Sequence, residues 1–139
     1  MTNINSYLTF NGNCREAMTF YAACLGGELT FQTIGESPMS EKMPPQMKDS
    51  ILHAMLINGG VVIMASDMVS EAGIIKGNSV SLMLNCGSEK EIKDCYKKLA
   101  EGGTADHPLE DTFWGAVFGD LTDMFGNHWL LNYTRNLNN

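Results

Sequence analysis

Two stretches of this chain, 75 residues apart (Asn13 to Ser88), carry the same local design, and that repetition constrains the fold more than any other feature. Residues 14–25 place Ala17, Phe20, Tyr21, Cys24 and Leu25 at the i, i+3, i+4, i+7, i+8 spacing of one helical face. Residues 89–100 repeat the spacing with Ile92, Cys95, Tyr96, Leu99 and Ala100. Asn13 with Glu16, and Ser88 with Glu91, have the spacing of a capping box. In such a box the cap side chain accepts from a backbone N–H three residues on, and the acid reaches back. Gly26-Gly27 and Gly102-Gly103 are the stop signals, because glycine tolerates the left-handed conformation at a helix C-terminus. One amphipathic helix is commonplace. Two with matching start, aromatic and stop positions predict an internal repeat.

Strand signals surround each helix in the same order. In the first half they cover residues 6–10, 29–34, 51–57 and 61–66, the last two flanking Asn58-Gly59, a strong hairpin signal. In the second half they cover 80–84, 104–107, 116–118 and 128–133, with a turn over 120–127. The expected fold class is α+β, two β-α-β-β-β modules over about 4–67 and 79–134, joined by a linker at 68–78 within one domain, 1–139. Pro38, Pro44 and Pro45 fall among Met39, Met43 and Met47 in a long loop over 35–49, and such loops often serve as lids or binding elements. A chain of 139 residues, 44% hydrophobic, buries enough surface to fold without metal or disulfide staples.

Charge narrows the partners. Sixteen Asp+Glu against nine Lys+Arg give a formal net charge of −7, with no basic stripe, so nucleic acid is not an expected partner. The field suits a cationic small molecule better. No uninterrupted apolar run approaches the roughly twenty residues of a membrane-spanning helix, so no membrane is expected as a partner either. The opening Met-Thr-Asn-Ile-Asn-Ser-Tyr has no basic and no apolar signal region, so the expected location is cytoplasmic. Cys14, Cys24, Cys86 and Cys95 are then reduced, and they read as small packing residues, since none sits in a C-x-x-C pair.

Five segments carry a resemblance. They are Tyr-Leu-Thr-Phe-Asn-Gly-Asn-Cys-Arg-Glu-Ala-Met at 7–18, Phe-Tyr-Ala-Ala-Cys-Leu-Gly-Gly-Glu at 20–28, His-Ala-Met-Leu at 53–56, Met-Ala-Ser-Asp at 64–67, and the long Asp-Thr-Phe-Trp-Gly to Gly-Asn-His-Trp run at 111–129. With them the chain resembles the vicinal-oxygen-chelate superfamily, which includes glyoxalase I, ring-cleaving dioxygenases and bleomycin-resistance proteins, and most of all its PhnB-like group. The resemblance implies curved mixed sheets around a cleft, and a homodimer. Members of the group are often labelled methyltransferase-like, but the chain has no glycine-rich cofactor turn after a strand.

The resemblance also implies where a divalent metal would sit. Superfamily enzymes hold it with His and Glu from the first and last strand of each module, leaving open positions for a substrate's adjacent oxygens. Here those positions fall near Ser6, at Ile63 or Met64, at Ser79 to Ser81, and at Leu130 or Asn132. None is His, Asp or Glu, so no metal site of that type and no cofactor is expected.

What remains is a set of candidates. His53 and Asp67 fall on neighbouring strands and could form a metal-binding or proton-transfer pair, the carboxylate orienting the imidazole. The plainer reading is a half-buried strand histidine and a turn-capping aspartate. His107 precedes Pro108 and reads as a loop residue; His128 and Trp129 alternate, so one of them faces outward. Asp120 and Asp123 flank a turn and read as caps. Phe113, Trp114, Phe118, Phe125 and Trp129 crowd into seventeen residues, and aromatic walls with polar tips suit a small-molecule cleft. The ligand-binding candidates are Trp114 and Phe118, with Tyr7 and Phe10 from the first strand. The expected function is binding of a small molecule in an aromatic cleft. The alternative is a metal-dependent lyase, isomerase or dioxygenase with a rearranged site using His53 and Asp67.

Overall fold

The computed structural model describes residues 2–135. They form two compact units that divide between Ile75 and Lys76, and the boundary falls inside the segment read as a linker. In the first unit the order is β1 (Ser6–Thr9), α1 (Cys14–Leu25), β2 (Glu28–Thr33), β3 (Ile51–Asn58) and β4 (Val61–Ser66). The second unit repeats it with β5 (Leu82–Asn85), α2 (Glu89–Ala100), β6 (Thr104–Asp111), β7 (Ala116–Thr122) and β8 (His128–Thr134). The strand orders match as well, β1-β4-β3-β2 in one sheet and β5-β8-β7-β6 in the other. In each, the strand before the helix pairs parallel with the last strand of the unit, and the other pairings are antiparallel. This is the α+β architecture that the repeat predicts. No described helix is long and apolar enough to cross a membrane.

Both helices have the predicted bounds, but they are capped differently. Ser88 Oγ accepts from Glu91 N at 3.1 Å, while Glu91 Oε1 accepts from Gly87 N at 2.9 Å. The predicted box therefore forms, with the acid reaching one residue further back. Asn13 makes no side-chain cap. The start of α1 is held instead by Asp67, which accepts from Cys14 N at 3.0 Å.

The hairpin between β3 and β4 also differs from expectation. Asn58 pairs with Val61, so the turn is Gly59-Gly60, one residue later than Asn58-Gly59. Asn58 is used elsewhere: its side-chain amide donates to Leu25 O at 2.7 Å and closes the end of α1. Two strands run four residues beyond their predicted ends. Expected over 104–107, β6 continues through Pro108 to Asp111, because β6 is an edge strand where a missing N–H is tolerated. Its partner β7 then extends to Thr122 and shortens the turn that follows. The 35–49 segment contains two short 3₁₀ helices, Pro38–Glu41 and Pro45–Met47. Its base is pinned by Ile34 N to Ser50 O at 3.0 Å and Gly35 N to Lys48 O at 2.9 Å.

Each helix covers one face of its sheet. In the first unit Ala17, Met18 and Tyr21 are buried together with Ala54, Leu56, Ile63 and Ala65, which alternate along β3 and β4. In the second, Ile92 and Leu99 are buried with Leu121, Trp129 and Leu131. The second glycine of each stop signal sets the spacing where chain leaves helix. A Cβ on Gly27 would strike the Ile57 carbonyl oxygen, and one on Gly103 the Thr122 carbonyl oxygen. Gly87, by contrast, has nothing within 4 Å of a built Cβ. We therefore expect Gly103→Ala to destabilise the protein by about 1–3 kcal/mol, the cost of forcing atoms into a packed site. Gly87→Ala should stay within about 0.5 kcal/mol of the parent; urea denaturation of both variants is the check.

Candidate functional site

Strand alternation divides each sheet between the helix and the opposite, open face. On the first sheet Tyr7 pairs with Met64 and Met64 with Met55, so one row of the open face is Tyr7, Met64, Met55. His53 lies two residues before Met55, on the same side; its ring centroid is 6.3 Å from that of Tyr7. Met55, Met64 and His53 are half-buried and Tyr7 is exposed. Ser6 pairs with Ile63 and belongs to the helix-covered face. The positions that the resemblance marks for a metal are therefore split between faces: Ser6 and Ile63 on the helix-covered side and Met64 on the open side in this unit, with Ser79 to Ser81 just before β5 and Leu130 or Asn132 in β8 in the other. These side chains offer no imidazole and no carboxylate, so the donor set does not fit a glyoxalase-type ion.

Asp67 is built into the backbone rather than turned to an open face. It is 7% exposed, and its Oδ1 accepts from Gly12 N at 2.9 Å and Cys14 N at 3.0 Å. Its Oδ2 accepts from Ile51 N at 2.9 Å. No hydrogen bond or ion pair joins Asp67 to His53 among the described residues. Cys14 beside it is no nucleophile: burial, then the Asp67 charge, push its thiol up to about 12. Phe10 is 2% exposed and packs in the core of the first unit. Tyr7 and His53 are brought together; Phe10 and Asp67 do not join them on the open face.

In the second unit Phe118 pairs with Asn132, and Asn132 with Asn85, on the open face. Trp114 lies in the turn between β6 and β7, 57% exposed, with its ring edge-on to Phe113 at 4.8 Å. Phe113 is 97% exposed. Trp129 is a core residue, its indole N–H donating to Asp123 Oδ2 at 2.8 Å. Asp123 Oδ1 accepts from Phe125 N and Asn127 N, the turn-capping role expected of it.

Asp120 is different. It lies within β7, and its Oδ1 is 2.8 Å from His107 Nδ1. His107 is a strand residue paired with Asp120, not a loop residue. His128 faces the open side while Trp129 is buried, and its Nδ1 lies 2.6 Å from Ser81 Oγ. One ligand atom each of Asp106, Asp120 and His128 can be chosen so that all lie within 4.8 Å of one another. Reasoning from sequence missed Asp106. The signal was the alternation along the last three strands, but it is broken by register shifts on both sides of His107.

The Glyoxalase/Bleomycin resistance protein/Dioxygenase superfamily model matches residues 3–131. Protein YjdN of Escherichia coli strain K12 is 33% identical over 141 residues, covering 95% of each chain. Protein PA1353 from Pseudomonas aeruginosa is 40% identical and superposes with a TM-score of 0.84 over 98% of this chain and 100% of its own. The PhnB protein from Bacillus cereus, 24% identical, has the same fold, with a TM-score of 0.70 over 96% of this chain and 100% of its own.

Two expectations follow. Asp67→Ala leaves three backbone N–H groups without their acceptor, at about 1–3 kcal/mol for each that stays dry. The melting temperature should fall by on the order of 10 °C in calorimetry. Asp67→Asn keeps one acceptor oxygen and should lose less. The hydrogen bond and charge of Asp120 raise the His107 pKa above the usual histidine value. A raised folded-state pKa stabilises below the unfolded pKa, and that gain is lost as pH rises through the folded one. NMR titration of the His107 ring should show the high value, and Asp120→Asn should lower it.

Proposed function

This chain belongs to the Glyoxalase/Bleomycin resistance protein/Dioxygenase superfamily, and from that premise we propose that it binds a small, flat organic molecule on the open sheet faces without a glyoxalase-type metal. The observation that carries the reading is the composition of those faces. Each sheet buries one side under its own helix and leaves the other lined by aromatic, thioether and amide groups, with Tyr7, Met55 and Met64 in one unit and Phe118, Leu130 and Asn132 in the other. An apolar wall with a few polar tips is what a small-molecule site requires. Trp114 supplies an exposed indole face, and tryptophan attracts cations by its quadrupole. The net charge of −7 adds to that preference for a cation. Bleomycin resistance in the family description accords with a protein that sequesters a ligand rather than transforming it. The reading includes a homodimer in the cytoplasm.

The alternative, a metal-dependent lyase, isomerase or dioxygenase built on His53 and Asp67, has less support. Both Asp67 oxygens are already committed to backbone N–H groups, which leaves His53 without the carboxylate that would orient it.

The test uses proflavine, a flat aromatic cation, with its fluorescence anisotropy followed as protein is added. Saturable binding is expected, and at least one of Tyr7→Ala and Phe118→Ala, which strip an aromatic ring from separate open faces, should weaken it roughly tenfold, about 1.4 kcal/mol. No saturable binding, or an affinity that neither substitution moves, would refute the reading.

A further inference from the structure

We propose that Asp106, Asp120 and His128 together hold one divalent transition-metal ion on the open face of the second sheet. This goes beyond the reading above and stands whether or not an organic molecule binds nearby. None of its three ligands is a position that the family resemblance marks, although Ser81, which holds His128, is one, and the ligands come from three adjacent strands, β6, β7 and β8.

The first argument is convergence. Two carboxylates and one imidazole place ligand atoms within 4.8 Å of one another. Donors at about 2.1 Å from a shared ion lie about 3–4 Å apart, so modest rotation of the carboxylate side chains closes the set. Asp106 is exposed and Asp120 and His128 are half-buried, which leaves room for that rotation and a path for the ion.

The second argument is the free nitrogen. His128 Nδ1 is engaged by Ser81 Oγ at 2.6 Å. With Nδ1–H donating to Ser81, the lone pair of the neutral ring sits on Nε2. That atom is 4.0 Å from Asp106 Oδ2, too far for a hydrogen bond. Metal-bound histidines characteristically donate their other ring N–H to an oxygen, which fixes tautomer and ring orientation, and Ser81 Oγ stands where it accepts that N–H in the metal-binding tautomer. The carboxylates are oriented as well. Thr122 Oγ1 donates to Asp106 Oδ2 at 2.7 Å, and His107 Nδ1 holds Asp120 Oδ1 at 2.8 Å. The Asp106 oxygen nearest His128 is the one that accepts from Thr122, and a carboxylate oxygen with one hydrogen bond keeps a second lone pair for an ion.

The third argument is chemical. Two hard oxygens and one borderline nitrogen select a first-row divalent ion such as Zn²⁺, Mn²⁺ or Co²⁺ over a soft ion that prefers thiolates. Two carboxylates at this separation repel one another, and a bound cation removes that cost.

The experiment is calorimetric titration of the chelator-stripped, tag-free full chain with ZnCl₂, with Co²⁺ absorption as a second readout. One Zn²⁺ per chain is expected. His128→Asn and Asp120→Asn should each weaken binding at least a hundredfold, and Ser81→Ala about tenfold, the range seen when an orienting partner of a ligand is removed. His53→Asn, in the other unit, should change nothing. Circular dichroism checks that each variant folds. If His128→Asn does not, the exposed Asp106→Asn decides, with the same hundredfold loss expected. Absence of stoichiometric binding would overturn the proposal, as would binding that survives these substitutions or falls with His53→Asn.

Discussion

The first unit is organised around one carboxylate. Asp67 follows β4 and gathers backbone N–H groups from Gly12, Cys14 and Ile51. Those donors belong to the turn before α1, the first residue of α1, and the first residue of β3. A single side chain thus ties the beginning of the helix to the beginning of one strand and the end of another. Hydrogen bonds to a charged acceptor are stronger than neutral ones, and a carboxylate at a helix N-terminus also meets the favourable end of the helix dipole. Burial makes the arrangement stringent, because the same N–H groups left dry would each be costly. The requirement also removes Asp67 from chemistry: it holds the scaffold.

The other end of α1 is fixed by similar long-range means. Asn58, at the end of β3, donates to Leu25 O, and Gly27 passes so close to the Ile57 carbonyl that a side chain there would collide. The helix is therefore clamped to β3 at both ends. In the second unit the start of α2 is local, built from Ser88, Glu91 and Gly87, while its middle is held by Tyr96, whose hydroxyl lies 3.0 Å from His107 O and 2.8 Å from Asp120 O. Gly103 repeats the close approach of Gly27 against Thr122. The two units share architecture and glycine geometry but differ in how they satisfy the helix termini.

That difference explains what could be read from the sequence. Helix bounds, the β-α-β-β-β order along the chain and the repeat were legible, because they follow from periodicity, glycine and local capping signals that lie within a dozen residues of one another. The cap by Asp67 was not, since it links residues more than fifty positions apart, and Asn13 offered a local candidate in its place. Asn58 was read as a turn residue because its partner, Leu25, lies far away in sequence. The extent of β6 and β7 was hidden by Pro108, whose effect depends on whether its strand is at an edge. Among site candidates, Tyr7 and Phe118 could be placed by alternation alone, whereas Phe10, one residue beyond β1, is buried.

The same alternation determines where chemistry can arise. A helix over one face leaves each sheet a single surface on which side chains from neighbouring strands meet, and a residue reaches it only with the correct parity. Among the metal positions that the resemblance marks, Ser6 and Ile63 lie on the helix-covered face and Met64, Leu130 and Asn132 on the open one, and none carries an imidazole or a carboxylate. Titratable groups of the second unit reach the open face nearer the start of β8. There His128 stands two residues before Leu130, and the register shifts in β6 bring Asp106 to Thr122 and His107 to Asp120. A bulge at an edge strand re-aims side chains without disturbing the central strands. Polar chemistry could therefore gather at one end of the second sheet while the helix-covered core, from Leu121 to Trp129 and Leu131, stayed intact.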